Sequence, residues 1–494
     1  MTAPWTVQTL TAALAKGEIT AEAVARQSLA RIAAEDGRLR AVITPNPDVL
    51  ADAQRIDARR AAGQPVGLLA GVPVLVKDTM DMAGLPTTGG WSVLSARAGG
   101  LDLIPARDAP VVARMRRAGA LLLGKTNVPV MSASGTNANN SWAGPTLNAI
   151  APDRAPGGSS TGSATGVAAG YAVIGLAEET GGSIQNPAAA QGLVGIKPTF
   201  ALVPNSGVMP LANSTRDVVG PVAMTVADAA IALDVLAGYS ADDPKTVAAI
   251  GRRPSGGYVE ALVPGALQGK RIGLYGPGWR AAALHPATEA LFARACEGLR
   301  ELGAVLVPDP FAGSGFAEIA RFVSAMQYDA RGEESVVYDF DRYLAGLGPQ
   351  SAVHSLETLR QLTRADPFDR AGPLGYLWDN KGFADLCADY THPPDLTDFL
   401  RVREEYLAVF DRVMSAHRLD AVAMPQTRSE PPLLFSPDQI QETSVSEINI
   451  AGLPGVTVPA GLYPSGVGFG LLFVGRLWSE GALLSYAAEY EAIT

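Results

Sequence analysis

The sequence is short of the residues that carry several common chemistries. Its 494 residues include only two cysteines, Cys296 and Cys387. Neither lies in a CxxC pair, and two cannot build a disulfide framework, so a reducing compartment is expected. The four histidines (His285, His354, His392, His417) are scattered, with no spacing such as HExxH. No metal site is expected from them. Charged residues are only 18 % of the chain, too few for a disordered one, while 47 % is hydrophobic, enough for a large core. The net charge of −10 is spread along the chain and would repel phosphates, so no nucleic-acid partner is expected. No run approaches the ~18 uninterrupted apolar residues of a membrane span. The first residues lack the basic start and apolar core of a secretory signal, and the last carry no lipidation or retention motif. The expectation is a cytoplasmic protein that does not engage a membrane.

What is present is ordered punctuation. Leu10, Ala13 and Leu14 recur at helical spacing up to Gly17, and Thr20 reads as the N-cap of a second helix entered through Glu22 and Val24. Val72–Val76 is a β-branched run ending in Lys77-Asp78, a buried strand with charge at its end. Val111–Ala118 reads as helix, Ala120–Leu123 as strand, and Val226–Ala237 and Ala287–Leu302 as helices. Helix and strand in alternation predict an α/β core.

Two motif matches fail on physical grounds. Gly119–Thr126 fits GxxxxGK[ST], but its variable positions are Ala and three Leu, strand residues, and Asn127-Val128-Pro129 forbids the helix that a phosphate loop requires. Gly158–Gly162 fits the GxSxG nucleophile elbow around Ser160, but no downstream histidine is marked by its surroundings.

A third constellation joins Lys77, the loop Pro156–Ser160 and Thr180–Ser183. A serine needs a base to become a nucleophile. A lysine at the end of an apolar strand can serve, because burial disfavours its ammonium form. Thr-Gly-Gly before a serine can turn several backbone N–H groups inward to hold an oxyanion. Taken singly, Lys77 reads better as a surface partner of Asp78, and the serines as turn residues.

Taken together, these segments resemble the amidase signature family. GVPVLVKDTMDMAGLPTTGG (71–90) is similar to that family's lysine segment, and LLLGKTNVP (121–129) to the strand and turn that follow it. PGGSSTGSATGVAAG (156–170) and TGGSIQNPAAAQGLVGIKPT (180–199) are similar to the signature itself, and NIAGLPGVTVPAG (449–461) to its closing core segment. The resemblance implies one domain over 1–494 with its signature core at about 71–200, built as an α/β fold with a mixed central sheet covered by helices on both faces. It implies a catalytic set of Ser183 as nucleophile, Ser159 as bridging serine on a cis peptide bond, and Lys77 as base. The backbone N–H groups of Thr180, Gly181, Gly182 and Ser183 are implied as the oxyanion hole, with Ser160 in support.

The implied partners are a small amide substrate and water, with no metal or cofactor. A homodimer is carried as the candidate assembly. Ester or carbamate hydrolysis by the same triad, or the glutamine-hydrolysing subunit of a tRNA-dependent amidotransferase, are the alternatives. The sequence departs from the family pattern at Glu179, where Asp is usual, at Gln185 and Asn186, where Arg is frequent, and at Thr161, where glycine is usual. Without that Arg, nothing at this point is suited to grip a substrate carboxylate in bidentate fashion. The aromatic-rich segment 330–400 has two readings: a cover that gives the pocket an apolar wall and favours aryl or acyl amides, or ordinary core.

Overall fold

The computed structural model describes residues 5–133, 135–319, 332–380 and 382–494. Among these, eleven strands form one mixed sheet. They are β1 (Val42–Pro45), β2 (Pro73–Lys77), β3 (Leu121–Thr126), β4 (Ile174–Glu179), β5 (Val194–Lys197), β6 (Val218–Ala223), β7 (Arg271–Leu274), β8 (Val305–Val307), β9 (Ala421–Pro425), β10 (Gly455–Leu462) and β11 (Gly468–Val474). Their order is β1-β3-β2-β4-β6-β5-β10-β11-β9-β7-β8. β2 runs parallel to β3 and β4, β7 runs parallel to β8 and β9, and the remaining pairings are antiparallel.

Alternation along a strand explains why the sheet carries two layers of helices. In β11, Phe469, Leu471 and Phe473 face the larger core, with Leu483, Leu484 and Tyr490 of the helix Glu480–Glu491. Leu472 and Val474 face a second core, with Phe399, Tyr406, Phe410 and Met414 of the helix Thr397–Ala416. β9 divides in the same way, Ala421 and Ala423 to one side and Val422 and Met424 to the other. The expected α/β architecture, a mixed sheet covered on both faces, is the one observed.

The early helices form as read. Thr20 Oγ1 accepts from the Ala23 amide and opens Ala21–Leu39, and proline opens both Pro110–Arg117 and Pro286–Glu301. The small residues after 157 allow close approach. The helix Thr161–Ala168 presses against the turn after β3, where a Cβ on Gly162 would lie 2.5 Å from the Asn127 nitrogen, and against the start of β1, 2.3 Å from the Ala41 carbonyl oxygen. The GxxxxGK match runs into β3. Lys125 is fully buried there and ion-paired with Asp78 at 3.1 Å.

Candidate active site

β2 and β4 are parallel neighbours and end side by side, with Val76 paired to Leu176. Lys77 and the Glu178-Glu179 doublet therefore reach the same carboxyl edge of the sheet, where open α/β sheets place their ligands. Lys77 is fully buried. Its Nζ donates to Ser159 Oγ at 2.7 Å, to the Glu178 carbonyl at 3.1 Å and to Glu178 Oε2 at 3.0 Å. Burial pushes the Lys77 pKa below the usual lysine range, and the carboxyl groups of Glu178, Asp217 and Glu179 pull it back upward. The surface pairing of Lys77 with Asp78 does not occur, because Asp78 is taken by Lys125.

The Gly158–Ser159 peptide bond is cis. Asn186 clamps the residue before it. Asn186 Oδ1 accepts from the Gly158 amide at 2.8 Å and Nδ2 donates to the Gly158 carbonyl at 2.9 Å. Ser160 is fully buried. Its hydroxyl donates to the Glu178 carbonyl at 3.0 Å and accepts from the Glu178 amide at 3.2 Å, while its own amide donates to the Ser183 carbonyl at 3.2 Å. An elbow nucleophile must be exposed, whereas Ser160 ties the serine loop to β4 and to Ser183.

The 180–183 loop is held from several sides. Because β4 and β6 are antiparallel with Glu179 opposite Val218, Asp217 falls next to Thr180. Thr180 Oγ1 donates to Asp217 Oδ1, and Arg216 Nε donates to the Thr180 carbonyl at 3.1 Å. Burial, with the nearby Glu178 charge second, pushes Asp217 up to about 7. Glu179 Oε2 accepts from the amides of Ile184 (2.9 Å) and Gln185 (3.2 Å), and its Oε1 from Gln185 Nε2 (2.6 Å). Three of the departures from the family pattern hold the two loops: Glu179 and Gln185 bind each other beside 180–183, and Asn186 binds Gly158 in the serine loop.

Ser183, Thr180 and Gly181 line a cavity of about 690 Å³. Gly182 has φ +89°, and a Cβ there would meet Glu442 Oε1 at 2.1 Å. Glu442 is buried, pushed well above the usual carboxyl range first by burial and then by Glu179. Among the described residues the cavity wall is mixed: Arg216, Arg280, Arg428, Glu333 and Glu442 supply charge, Leu211, Ile440 and Val445 supply apolar surface, and Tyr376 is the single aromatic. Arg280 forms a two-pronged pair with Glu447 at 2.6 and 2.8 Å, and Arg428 Nη2 donates to Gln441 Oε1 at 2.8 Å.

Of the segment 330–400, residues 330, 331 and 381 lie outside the described ones. Phe340, Tyr343 and Trp378 pack with Phe368 and Phe383, and with Leu94, Leu103, Met131, Met209 and Leu211 from other segments, as ordinary core. Among the described residues of that stretch, Glu333 and Tyr376 are the ones that line the cavity. Aromatics gain more from burying their rings in one another than from lining a wet cleft. Lys77, Ser159, Ser160, Thr180, Gly181, Gly182 and Ser183 all fall within this one region. Glu178, Arg216, Asp217 and Glu442 were not singled out from sequence. Of these, Glu178 carried a legible signal, a charge doublet inside an otherwise apolar strand.

Among the described residues no helix is long and apolar enough to cross a membrane, and no cluster of His, Cys, Asp and Glu could hold a metal ion.

Residues 23–484 match the family model described as Amidase. One subunit of the glutamyl-tRNA(Gln) amidotransferase of Chloroflexus aurantiacus is 33 % identical, over 99 % of this chain and 96 % of that protein. Peptide amidase from Stenotrophomonas maltophilia superposes with a TM-score of 0.80 at 32 % identity, covering 100 % of this chain and 97 % of that one. A bacterial aryl acylamidase of the amidase signature family also superposes at 0.80, with 26 % identity and coverage of 99 % and 96 %.

Proposed function

Because this chain belongs to the amidase signature family, we propose that it hydrolyses a carboxamide C–N bond through an acyl-enzyme on Ser183, with Ser159 and Lys77 relaying the proton. The observation that carries the reading is the 2.7 Å contact between Lys77 Nζ and Ser159 Oγ, buried beneath the cavity that Ser183 lines. In this reading, neutral Lys77 takes the proton of Ser159 Oγ–H as Ser159 takes that of Ser183. Ser183 Oγ bonds to the substrate carbonyl carbon, and the oxyanion rests on the N–H groups of Thr180, Gly181, Gly182 and Ser183. The proton returns through Ser159 to the leaving nitrogen, the C–N bond breaks, and ammonia or an amine departs. Water then cleaves the acyl-enzyme by the same relay. None of these steps calls on a metal or an organic cofactor, and a cytoplasmic setting belongs to the reading.

The test is a panel of primary amides, anilides, esters and carbamates, assayed for the released amine or alcohol. The expected result is turnover of amides by the purified chain alone. Turnover confined to esters or carbamates would replace the assignment with a different leaving group on the same triad. The cavity offers charged groups on Arg216, Arg280, Arg428, Glu333 and Glu442 and an apolar side on Leu211, Ile440 and Val445, so the panel spans both polar and aryl amides.

A second reading has a specific observation behind it, the similarity to one chain of a glutamyl-tRNA(Gln) amidotransferase. It predicts glutaminase activity that appears only when the other chains of such a complex are added.

Burial lowers the Lys77 pKa, and the base must be neutral, so the active fraction grows with pH. kcat/KM is expected to rise from acid toward neutral and mildly alkaline pH, and an optimum near about pH 5 would contradict Lys77 as base. In Gly182→Ala, the new Cβ has neither room beside Glu442 nor a suitable φ, so the loop must shift. kcat is expected to fall about 10²–10³-fold, the scale of one lost oxyanion donor. Unchanged kcat in a folded variant would place the oxyanion elsewhere.

A further inference from the structure

We propose that Glu178 is a positioning residue that aims the lone pair of Lys77 at Ser159 and strengthens it as a base; this rests on the role proposed for Lys77. Valence decides how the amine can bond. A neutral lysine amine has two N–H bonds and one lone pair. Two of the three oxygens around Lys77 Nζ belong to Glu178, its carbonyl at 3.1 Å and its Oε2 at 3.0 Å. If these accept the two N–H bonds, the lone pair is left for the Ser159 hydroxyl at 2.7 Å. Glu178 thereby selects the one orientation of the amine in which Ser159 can hand over its proton.

Glu178 is itself fixed. Its side chain is 1 % exposed against 0 % for Lys77. Oε2 accepts a further bond from Thr79 Oγ1 at 3.3 Å. Its backbone is held by Ser160 on one side and by the β6 ladder, opposite Val219, on the other. Oε1 has no hydrogen-bond partner among the described residues. The Glu178 charge therefore acts on Lys77 with little screening.

The other charged groups around the pair do not substitute for it. Glu179 on β4 faces Ile184 and Gln185. Asp217, ahead of β6, is bonded to Thr180 and to the amides of Leu211 and Ala212. Arg216 holds the Thr180 carbonyl. Asp78, next to Lys77 in sequence, is paired with Lys125 on β3. A carboxylate in direct contact makes Lys77 more basic and delays its neutral form to higher pH. Burial of Lys77 works against this and is the largest influence on it.

The experiment measures the second-order rate of Ser183 labelling by a fluorophosphonate from about pH 5 to about pH 10, a range spanning the shifted lysine. It needs no knowledge of the substrate. Glu178→Gln keeps the size and one acceptor but removes the charge. Its acid limb is expected to move to lower pH by about one to three units, with a lower plateau rate because the base is weaker. Glu178→Asp keeps the charge, and its limb is expected to stay nearer the wild-type position than that of Glu178→Gln. Should Glu178→Gln fail to fold, Glu178→Ala is the second neutral variant and must shift the limb in the same direction. A limb that stays in place or moves upward in a folded neutral variant overturns the proposal while leaving Ser183 as nucleophile. Wild-type protein that takes no label at Ser183 overturns the nucleophile assignment, and this proposal with it.

Discussion

Ser183→Ala is expected to lose about four orders of magnitude or more in kcat, the scale on which removing a nucleophile from a mutually dependent catalytic set is felt. The residual rate is what oxyanion stabilisation and binding supply without covalent chemistry. The change removes one hydroxyl at the edge of a cavity, and Ser183 is 9 % exposed. Its structural bond to Ser160 runs through the backbone carbonyl and survives the substitution. The thermal unfolding midpoint should therefore remain close to wild type. Loss of turnover with an unchanged midpoint separates a chemical defect from a folding one. A variant that keeps most of its rate would end the Ser183 assignment.

Lys77→Met has the second largest expected effect, and it differs in kind because both activity and stability fall. Removing the base should cost kcat about 10²–10⁴-fold. Methionine also leaves the Glu178 carboxylate without its partner. Since the two side chains are 0 % and 1 % exposed, solvent cannot make up the loss. Breaking a buried pair by deleting one member costs about 3–5 kcal/mol. Chemical denaturation read by tryptophan fluorescence should show the midpoint falling with an unchanged slope. Exogenous small amines rescue part of the activity if the missing function is proton transfer. A Lys77→Met enzyme of wild-type stability would mean that the Lys77–Glu178 pair is weaker than its geometry implies.

The contrast between these variants also shows what could be read from sequence. Lys77, Ser159 and Ser183 sit in segments whose local composition is unusual: a β-branched strand ending in charge, and two glycine-serine loops. Their meeting follows from the parallel pairing of β2 with β4, which places both strand ends on one edge. Thr20 capped its helix because capping is a local matter, settled within four residues. The cavity wall is the opposite case. Arg216, Arg280, Glu333, Tyr376, Arg428 and Glu442 come from separate stretches and converge only once the sheet has formed. No periodicity marks them. The aromatics of 330–400 are ambiguous in sequence for a related reason. A dense aromatic stretch signals burial, and burial in a core shared with Leu94, Met131 and Met209 looks the same in sequence as burial against a ligand. Glu442 is not legible in sequence because its significance lies in its place beside Gly182, far away in the chain.

The departures at Glu179, Gln185 and Asn186 are legible in sequence as departures but not as functions. Glu179 and Gln185 are bonded to each other, and Asn186 to Gly158. Their geometry explains why losing an arginine near the nucleophile need not disturb the nucleophile's support.

Everything proposed for this site turns on Ser183 being an activated nucleophile. The decisive experiment is intact-protein mass after fluorophosphonate treatment, with peptide mapping, on wild type and Ser183→Ala side by side. One adduct is expected on wild type, mapped to the peptide containing Ser183, and none on the variant. An adduct that persists on Ser183→Ala and maps to Ser160 would refute the assignment.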